Sequence, residues 1–221
     1  VTRIAVIIAA AGSGSRFGGP KQFAVLRGIP VLERAVGAFQ AHPAVDDIIL
    51  VLPAARIDDR YPSRFGKIVA VVPGGERRQD SVRRGLEALD GAGVGLVLVH
   101  DGARPIVAPE LVERVIEAVR ATGAAVPGAP LEDTVKEVRE GRIAATVDRA
   151  SLVRAQTPQG FRYALLREAL EAADRDGFTG TDESSLVERL GVPVARVSGD
   201  PRNIKITTPL DIKIAEALVD G

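Results

Sequence analysis

The stretch "IAVIIAAAGSGSRFGGPKQ", Ile4 to Gln22, joins two contrasting textures. Its first six residues are an unbroken apolar run, as expected of a strand buried on both faces. The run then empties into glycines, serines, an arginine and a Gly-Gly-Pro-Lys turn. A plain connection between strand and helix needs about two to six residues. This one is longer, carries Arg16 and Lys21, and has Phe17 as its one large apolar anchor. In open parallel sheets, ligands sit beyond the carboxyl ends of strands. The placement therefore points to a ligand cradle.

The same alternation continues along the chain. Short Val/Ile/Leu runs predict strands at Ile4–Ala9, Asp47–Leu52, Lys67–Val72, Leu96–Val99 and Ala124–Pro127. Amphipathic segments between them predict helices: "VLERAVGAFQ" after Pro30, "RQDSVRRGLEALDG" with Val82, Leu86 and Leu89 on one stripe, and "PELVERVIEAVRATG" ending at Gly123. Two later helices are expected in "FRYALLREALEAAD" and "TDESSLVERLG". A closing run "NIKI" is treated as extended, with Thr208 as N-cap and Pro209 opening a last helix to Val219. Alternating strands and helices imply an α/β fold, a mainly parallel sheet with helices on both faces.

Leu131–Arg154, "LEDTVKEVREGRIAATVDRASLVR", breaks the alternation. It reads as two extended pieces around Glu140-Gly141, a projecting β-hairpin too thin to hold its own core. Its Val135, Val138, Ile143 and Val147 need cover. A second copy of the chain is the expected supplier, giving a homodimer with exchanged arms; folding back on its own domain is the alternative. The chain is thus read as one domain, 1–221, with 131–154 as a dimerisation arm.

Composition narrows the chemistry. The 221 residues are 46% apolar and 26% charged, with 29 cations against 29 anions. No basic excess favours a nucleic acid, while a small phosphorylated ligand needs only a local cluster. No cysteine is present, which excludes disulfides and a thiolate nucleophile, and His42 and His100 are too few for a histidine metal site. No apolar run approaches the ~18 residues of a membrane span, and "VTRIAVIIAAAG" lacks the order of a secretory signal, so a soluble cytoplasmic protein is expected. Only five of the cations are lysines. That hints at a GC-rich or thermophilic source and decides nothing about function.

Four loops carry candidate chemistry. Gly12 and Gly14 let backbone N–H groups approach an anion. The spacing is neither the dinucleotide fingerprint, because the next glycine is Gly18, nor a Walker A motif, because Pro20 separates Gly19 from Lys21. In "PGGERRQDS", Gly74 and Gly75 allow close approach to a flat ligand and Ser81 offers a hydroxyl; an ordinary helix entry capped by Asp80 or Ser81 fits equally well. In "VLVHDGARP", Asp101 suits a sugar hydroxyl or a water-held metal, or simply a turn closing the strand. Lys205 lies between Ile204 and Ile206, opposite whatever face the isoleucines bury.

The blocks "AAGSGSRFGGPKQ", "GGERRQDSV", "VHDGARP", "DTVKE", "TVDR", "QTPQGF", "TDESS" and "NIKITTPLD" together resemble the signatures of the 2-C-methyl-D-erythritol 4-phosphate cytidylyltransferase family, in order and over essentially the whole chain. The resemblance implies a Rossmann-like nucleotidyltransferase domain that joins CTP to methylerythritol phosphate and releases pyrophosphate. It implies that Arg16, Lys21 and Lys205 are catalytic. Ala10, Ala11, Gly12, Gly14, Gly75, Glu76 and Ser81 would bind the nucleotide. Asp101, Arg104 and Thr181 would line the second substrate's pocket with Thr157 close by, while Thr134 and Arg149 reach in from a partner's arm. Mg²⁺ is implied, held mainly by nucleotide oxygens and water.

Rival families leave different residues. Ribitol 5-phosphate cytidylyltransferases tend to "AGGTGTR" and "HDSVRP", where this chain has "AAGSGSR" and "HDGARP". A glycosyltransferase wants an Asp-x-Asp pair after a central strand, and the triplet "DRD" at Asp174–Asp176 ends a predicted helix instead. A nucleotide-binding regulatory subunit without turnover would have no need of Arg16, Lys21 and Lys205 together.

Overall fold

Strand β1, Arg3–Ala9, lies in the middle of an eight-stranded sheet, and its alternate side chains feed two separate cores. A computed structural model describes residues 2–57, 60–91 and 93–219. Ile4, Val6 and Ile8 face one layer of helices; Ala5 and Ile7 face the other. This two-residue alternation explains the run's continuous hydrophobicity: a strand buried on both faces has no solvent side to mark with polar residues. After β1 come the short paired strands β2 (Val25–Leu26) and β3 (Ile29–Pro30), helix α1 (Val31–Ala41), strand β4 (Asp47–Leu52), helix α2 (Arg60–Arg64), strand β5 (Ile68–Pro73) and helix α3 (Arg78–Glu87). The chain continues through β6 (Val94–Asp101), α4 (Pro109–Thr122), β7 (Ala124–Pro130), β8 (Val135–Arg139), β9 (Arg142–Val147), β10 (Val153–Ala155), β11 (Gln159–Arg162), α5 (Tyr163–Arg175), α6 (Glu183–Arg189), β12 (Ala195–Ser198) and α7 (Pro209–Val219).

The sheet order is β10-β7-β11-β6-β1-β4-β5, with β12 also paired to β7. β5, β4, β1 and β6 run parallel, while β11 runs antiparallel to both β6 and β7. The sheet is therefore mainly parallel, as expected, with antiparallel strands in its second half. One face is covered by α1 and α4 through Val36, Phe39, Val112 and Val115; the other by α3, α5 and α6 through Val82, Leu86, Leu170 and Leu186. Burying each large aliphatic side chain contributes roughly 1.5–3 kcal/mol. A smaller cluster of Leu26, Val31, Ile206 and Ala215 docks α7 onto β2.

Four expectations are corrected. Phe161 and Arg162 do not open a helix; they end β11, because Phe161 is fully buried between strands and α5 starts at Tyr163. "NIKI" is not a paired strand. It is an irregular segment tied to the sheet by the Ile206 N–H donating to the Ala103 carbonyl at 2.8 Å. The predicted strand Leu96–Val99 extends to Asp101, which puts the acid within the ladder. The arm is shorter than 131–154, because Val153 and Arg154 return to the main sheet opposite Pro130 and Ala129.

What projects is the hairpin β8–β9, a sheet of its own. Glu140 and Gly141 both take left-handed backbone, the two-residue turn that matches strand twist. Val138 and Ile143 face each other across the hairpin, 61% and 65% exposed. The hairpin does not fold back onto its own domain.

Candidate active site

The loops after β1, β5 and β6 and the segment before α7 enclose a cavity of about 450 Å³ at the carboxyl edge of the sheet. Its shape is fixed by backbone. Gln22, almost fully buried, donates to the carbonyls of Ala10 (2.7 Å) and Gly12 (3.0 Å), holding the long first loop against the strand end. Gly14 is left-handed, and a Cβ there would sit 1.9 Å from the Gly19 carbonyl oxygen. The loop curls back on itself through contacts only glycine allows.

The second loop packs against the first: a Cβ on Gly74 would meet that of Ala11 at 2.1 Å. The Ser81 hydroxyl accepts from the Gly75 N–H at 3.0 Å and donates to the Arg77 carbonyl at 3.2 Å. Neither Asp80 nor Ser81 is the N-cap of α3. Arg77 occupies that place, and Asp80, three positions on, accepts from its N–H at 3.1 Å.

Asp101 forms the floor. Its carboxylate, only 7% exposed, meets Lys205 Nζ at 2.9 Å, Arg78 Nη2 at 3.2 Å and Arg104 Nε at 3.4 Å. Burial alone pushes its pKa up, but Arg78, Lys205 and Arg104 outweigh burial and hold it well below the usual carboxylate range. Arg78 also pairs with Glu183, which is 1% exposed. Burial draws the Arg78 pKa down, and the two acids more than restore it, so the guanidinium stays charged. Sequence reasoning missed both residues. The available signal was "TDESS", where an acid opens a helix on the inner side of an expected site.

Arg16, Lys21 and Lys205 line this one cavity, although two different ends of the chain supply them. Lys21 is half-buried, and its pKa is lowered first by burial, then by the charges of Lys205 and Arg16. That repulsion marks three cations gathered where no protein anion fully answers them. Ala10, Ala11, Gly12, Gly14, Gly75, Glu76, Ser81 and Asp101 share the cavity wall. Arg104 lies behind Asp101, 9% exposed, donating to the Asn203 carbonyl at 2.8 Å. Thr157 is buried, its hydroxyl turned inward. Thr181 is exposed just ahead of α6; Thr134 and Arg149 are exposed on the arm, away from this cavity's walls.

No cluster of three metal-ligating side chains occurs among the described residues. Asp101 at the cavity and Glu183 behind it are committed to arginine and lysine, which leaves Glu76 as the other acid on the wall, so a hard cation would have to draw most of its oxygens from a ligand and water.

The arrangement suits binding a polyphosphate by its oxygens while a neighbouring acid and cations receive a second polar molecule. Comparison with known proteins agrees. The family model described as 2-C-methyl-D-erythritol 4-phosphate cytidylyltransferase matches residues 4–221. A protein of that name from Syntrophotalea carbinolica is 45% identical, covering 97% of this chain and 95% of its own. The crystal structure of the Thermus thermophilus protein of that name is 40% identical with TM-score 0.84, covering 99% of this chain and 100% of that one. A 4-diphosphocytidyl-2C-methyl-D-erythritol synthase from Anaerococcus prevotii is 34% identical with TM-score 0.88, covering 100% and 97%.

Proposed function

This chain belongs to the 2-C-methyl-D-erythritol 4-phosphate cytidylyltransferase family, and from that premise we propose how its cavity performs the transfer of CMP from CTP to methylerythritol phosphate. The observation that carries the reading is the meeting of Arg16, Lys21 and Lys205 on one cavity with Asp101 as its floor. The products are 4-diphosphocytidyl-methylerythritol and pyrophosphate.

The nucleophile is a phosphate monoester, with a second pKa of about 6, so it is largely dianionic at neutral pH. It needs no general base. The barrier is repulsion between this dianion and the α-phosphate it attacks in line. Cations fixed in advance on the developing charge lower that barrier without reorganising during the step. Arg16 and Lys21 hold the triphosphate, with Lys21 on the α-phosphate. Lys205 joins it there and faces the incoming phosphate. The O–P bond to the incoming monoester forms as the bond to the β-phosphate oxygen breaks, and pyrophosphate carries the electron pair away.

The peptide groups of Ala10, Ala11 and Gly75, with Glu76 and Ser81, receive cytosine and ribose, while Gly12 and Gly14 cradle the phosphates. Asp101 and Thr181 face the sugar alcohol's hydroxyls, with Arg104 behind Asp101 and Thr157 beneath it. Mg²⁺ would be held mainly by CTP and water rather than by protein carboxylates, and it would offset the triphosphate's charge alongside Arg16, Lys21 and Lys205. The chain 1–221 acts as one catalytic domain. The arm pairs two copies, covering Val138 and Ile143 and delivering Thr134 and Arg149 to the partner's pocket. No helix among the described residues is long and apolar enough to cross a membrane, and a nucleotide substrate favours the cytoplasm as the site of reaction.

Pyrophosphate release from each of the four nucleoside triphosphates, with methylerythritol phosphate or ribitol 5-phosphate, tests this reading. Turnover is expected with CTP and methylerythritol phosphate. Faster turnover of ribitol phosphate, or equal use of another base, overturns it.

A further inference from the structure

Behind Asp101, four buried residues from three separate segments close a ring of hydrogen bonds. The Asn203 amide (Nδ2) donates to the Thr157 carbonyl at 2.7 Å. The Thr157 hydroxyl lies 3.0 Å from His100 Nδ1. His100 Nε2 lies 3.1 Å from the Arg104 carbonyl. Arg104 Nη1 donates to the Asn203 carbonyl at 2.8 Å, which completes the circuit. A carbonyl only accepts, so Nε2 carries the proton and Nδ1 accepts from the hydroxyl. That leaves the Thr157 oxygen free to accept the Asp101 N–H, 3.1 Å away.

All four residues are at most 9% exposed. Burial holds the His100 pKa down to about 4, so the neutral tautomer that the ring requires is the resting form. Asn203 is wholly buried, and its Oδ1 finds no partner. Reversing the amide would turn that oxygen toward the Thr157 carbonyl, so the Nδ2 bond fixes its orientation. The side chain is thus kept for one donor, at the cost of an unanswered acceptor.

We propose that His100 and Asn203 are positioning residues, whose ring with Thr157 and Arg104 sets Lys205 against Asp101. Lys205 stands two residues after Asn203, on a segment with no strand ladder of its own. The ring and the Ile206–Ala103 bond tie that segment to the end of β6, while Gln156 holds its start through Asp200 and also donates to the Asn203 carbonyl. Asp101 is held from the same ring through its N–H. The ring therefore locks the cation and the acid to one another. Its kinetic consequence rests on the function proposed above.

The test uses Asn203→Ala and His100→Phe, the latter keeping an aromatic ring edge-on to Phe39, now 4.9 Å away. Leu170→Ala, a truncation in the far core, is the control. Expected for the ring variants is a kcat loss of about tenfold or more, since small misplacements of reacting groups cost that much. CTP affinity measured without the second substrate stays within about threefold by the same reasoning, because the base is held elsewhere. The NMR signal of ¹³C-dimethylated Lys205 shifts in both ring variants. Leu170→Ala lowers Tm and leaves kcat and the Lys205 signal unchanged. If either ring variant fails to fold, Thr157→Val replaces it, and loss of kcat together with a shift of the Lys205 signal is expected. Ring variants that behave like Leu170→Ala, or lose CTP affinity as steeply as kcat, overturn the proposal. A wild-type protein that does not turn over CTP defeats the functional reading, and the Lys205 signal then decides the ring by itself.

Discussion

The cavity floor and the arm break the usual rule of burial in opposite directions. At the floor, charge is inside: Asp101 and Glu183 are buried, and Arg78, Arg104 and Lys205 surround them. On the arm, hydrocarbon is outside: Val138 and Ile143 are mostly exposed on a two-stranded ribbon. Each departure is costly by itself. Buried ions persist only when paired, and an isolated hairpin is marginal in water. The floor resolves its cost within the chain, so it is rigid before any ligand arrives. The arm does not, and so it points to a second chain. One region closes its contacts within the chain; the other leaves Val138 and Ile143 exposed.

The largest effect expected from breaking the floor comes from Glu183→Ala. It removes one partner of a buried pair and leaves Arg78 to Asp101 alone, for a loss of about 4 kcal/mol in urea unfolding. A loss under about 1 kcal/mol, the scale of a surface pair, would show that the floor is not a closed charge system. Lys21→Ala acts on the open side of the same site. Turnover falls by at least ~10²-fold, about 2.7 kcal/mol, with stability little changed; an unchanged rate removes Lys21 from the chemistry.

The floor also carries a pH signature. His100 titrates near 4 in the native state and near ~6.5 when unfolded. Below pH ~6.5 the unfolded chain takes up a proton that the native chain refuses, so stability declines as pH falls, by about 1.6 kcal/mol between pH 6.5 and 5. Asp101, Arg104 and Arg78 face the ring and modulate it. The difference between wild-type and His100→Asn profiles isolates the effect; parallel profiles would refute it.

The smallest intrachain effect belongs to the arm. Val138→Ser with Ile143→Ser changes the stability of the isolated chain by less than about 0.5 kcal/mol, as for surface sites, yet sedimentation shows a shift from dimer toward monomer. A wild-type monomer at micromolar concentration would make the arm something other than a dimer contact.

Much of this was legible in the sequence because strand ends announce themselves. Asp101 follows an apolar run directly, Lys21 sits at the far end of the long loop that follows another, and glycines beside them mark backbone that must approach something. The hairpin was legible because Glu140-Gly141 interrupts two alternating runs. Arg78 and Glu183 were not. "ERRQDS" offers neighbouring cations and acids of equal local merit, and only the packing of α6 beside α3 selects which arginine turns inward. Glu183 stands in the first turn of α6, where any acid is favoured by the helix dipole, so its identity alone marks nothing. β11 was hidden because Gln159–Arg162 is short and half polar, and its antiparallel seat between β6 and β7 is a long-range choice. The ring behind Asp101 joins residues that no local pattern connects.

The separation between the first loop and the irregular segment before α7 has a consequence for biosynthesis. Lys21 leaves the ribosome early, and Lys205 follows only after almost all the intervening chain. At ordinary elongation rates of about 5–20 residues per second the interval is roughly 10–40 s. A nascent or prematurely terminated chain can complete β1 and its loop, but it has only part of the charge that the reaction requires. On the proposed roles, competence waits for Lys205, and fragments that end before it are expected to be inert.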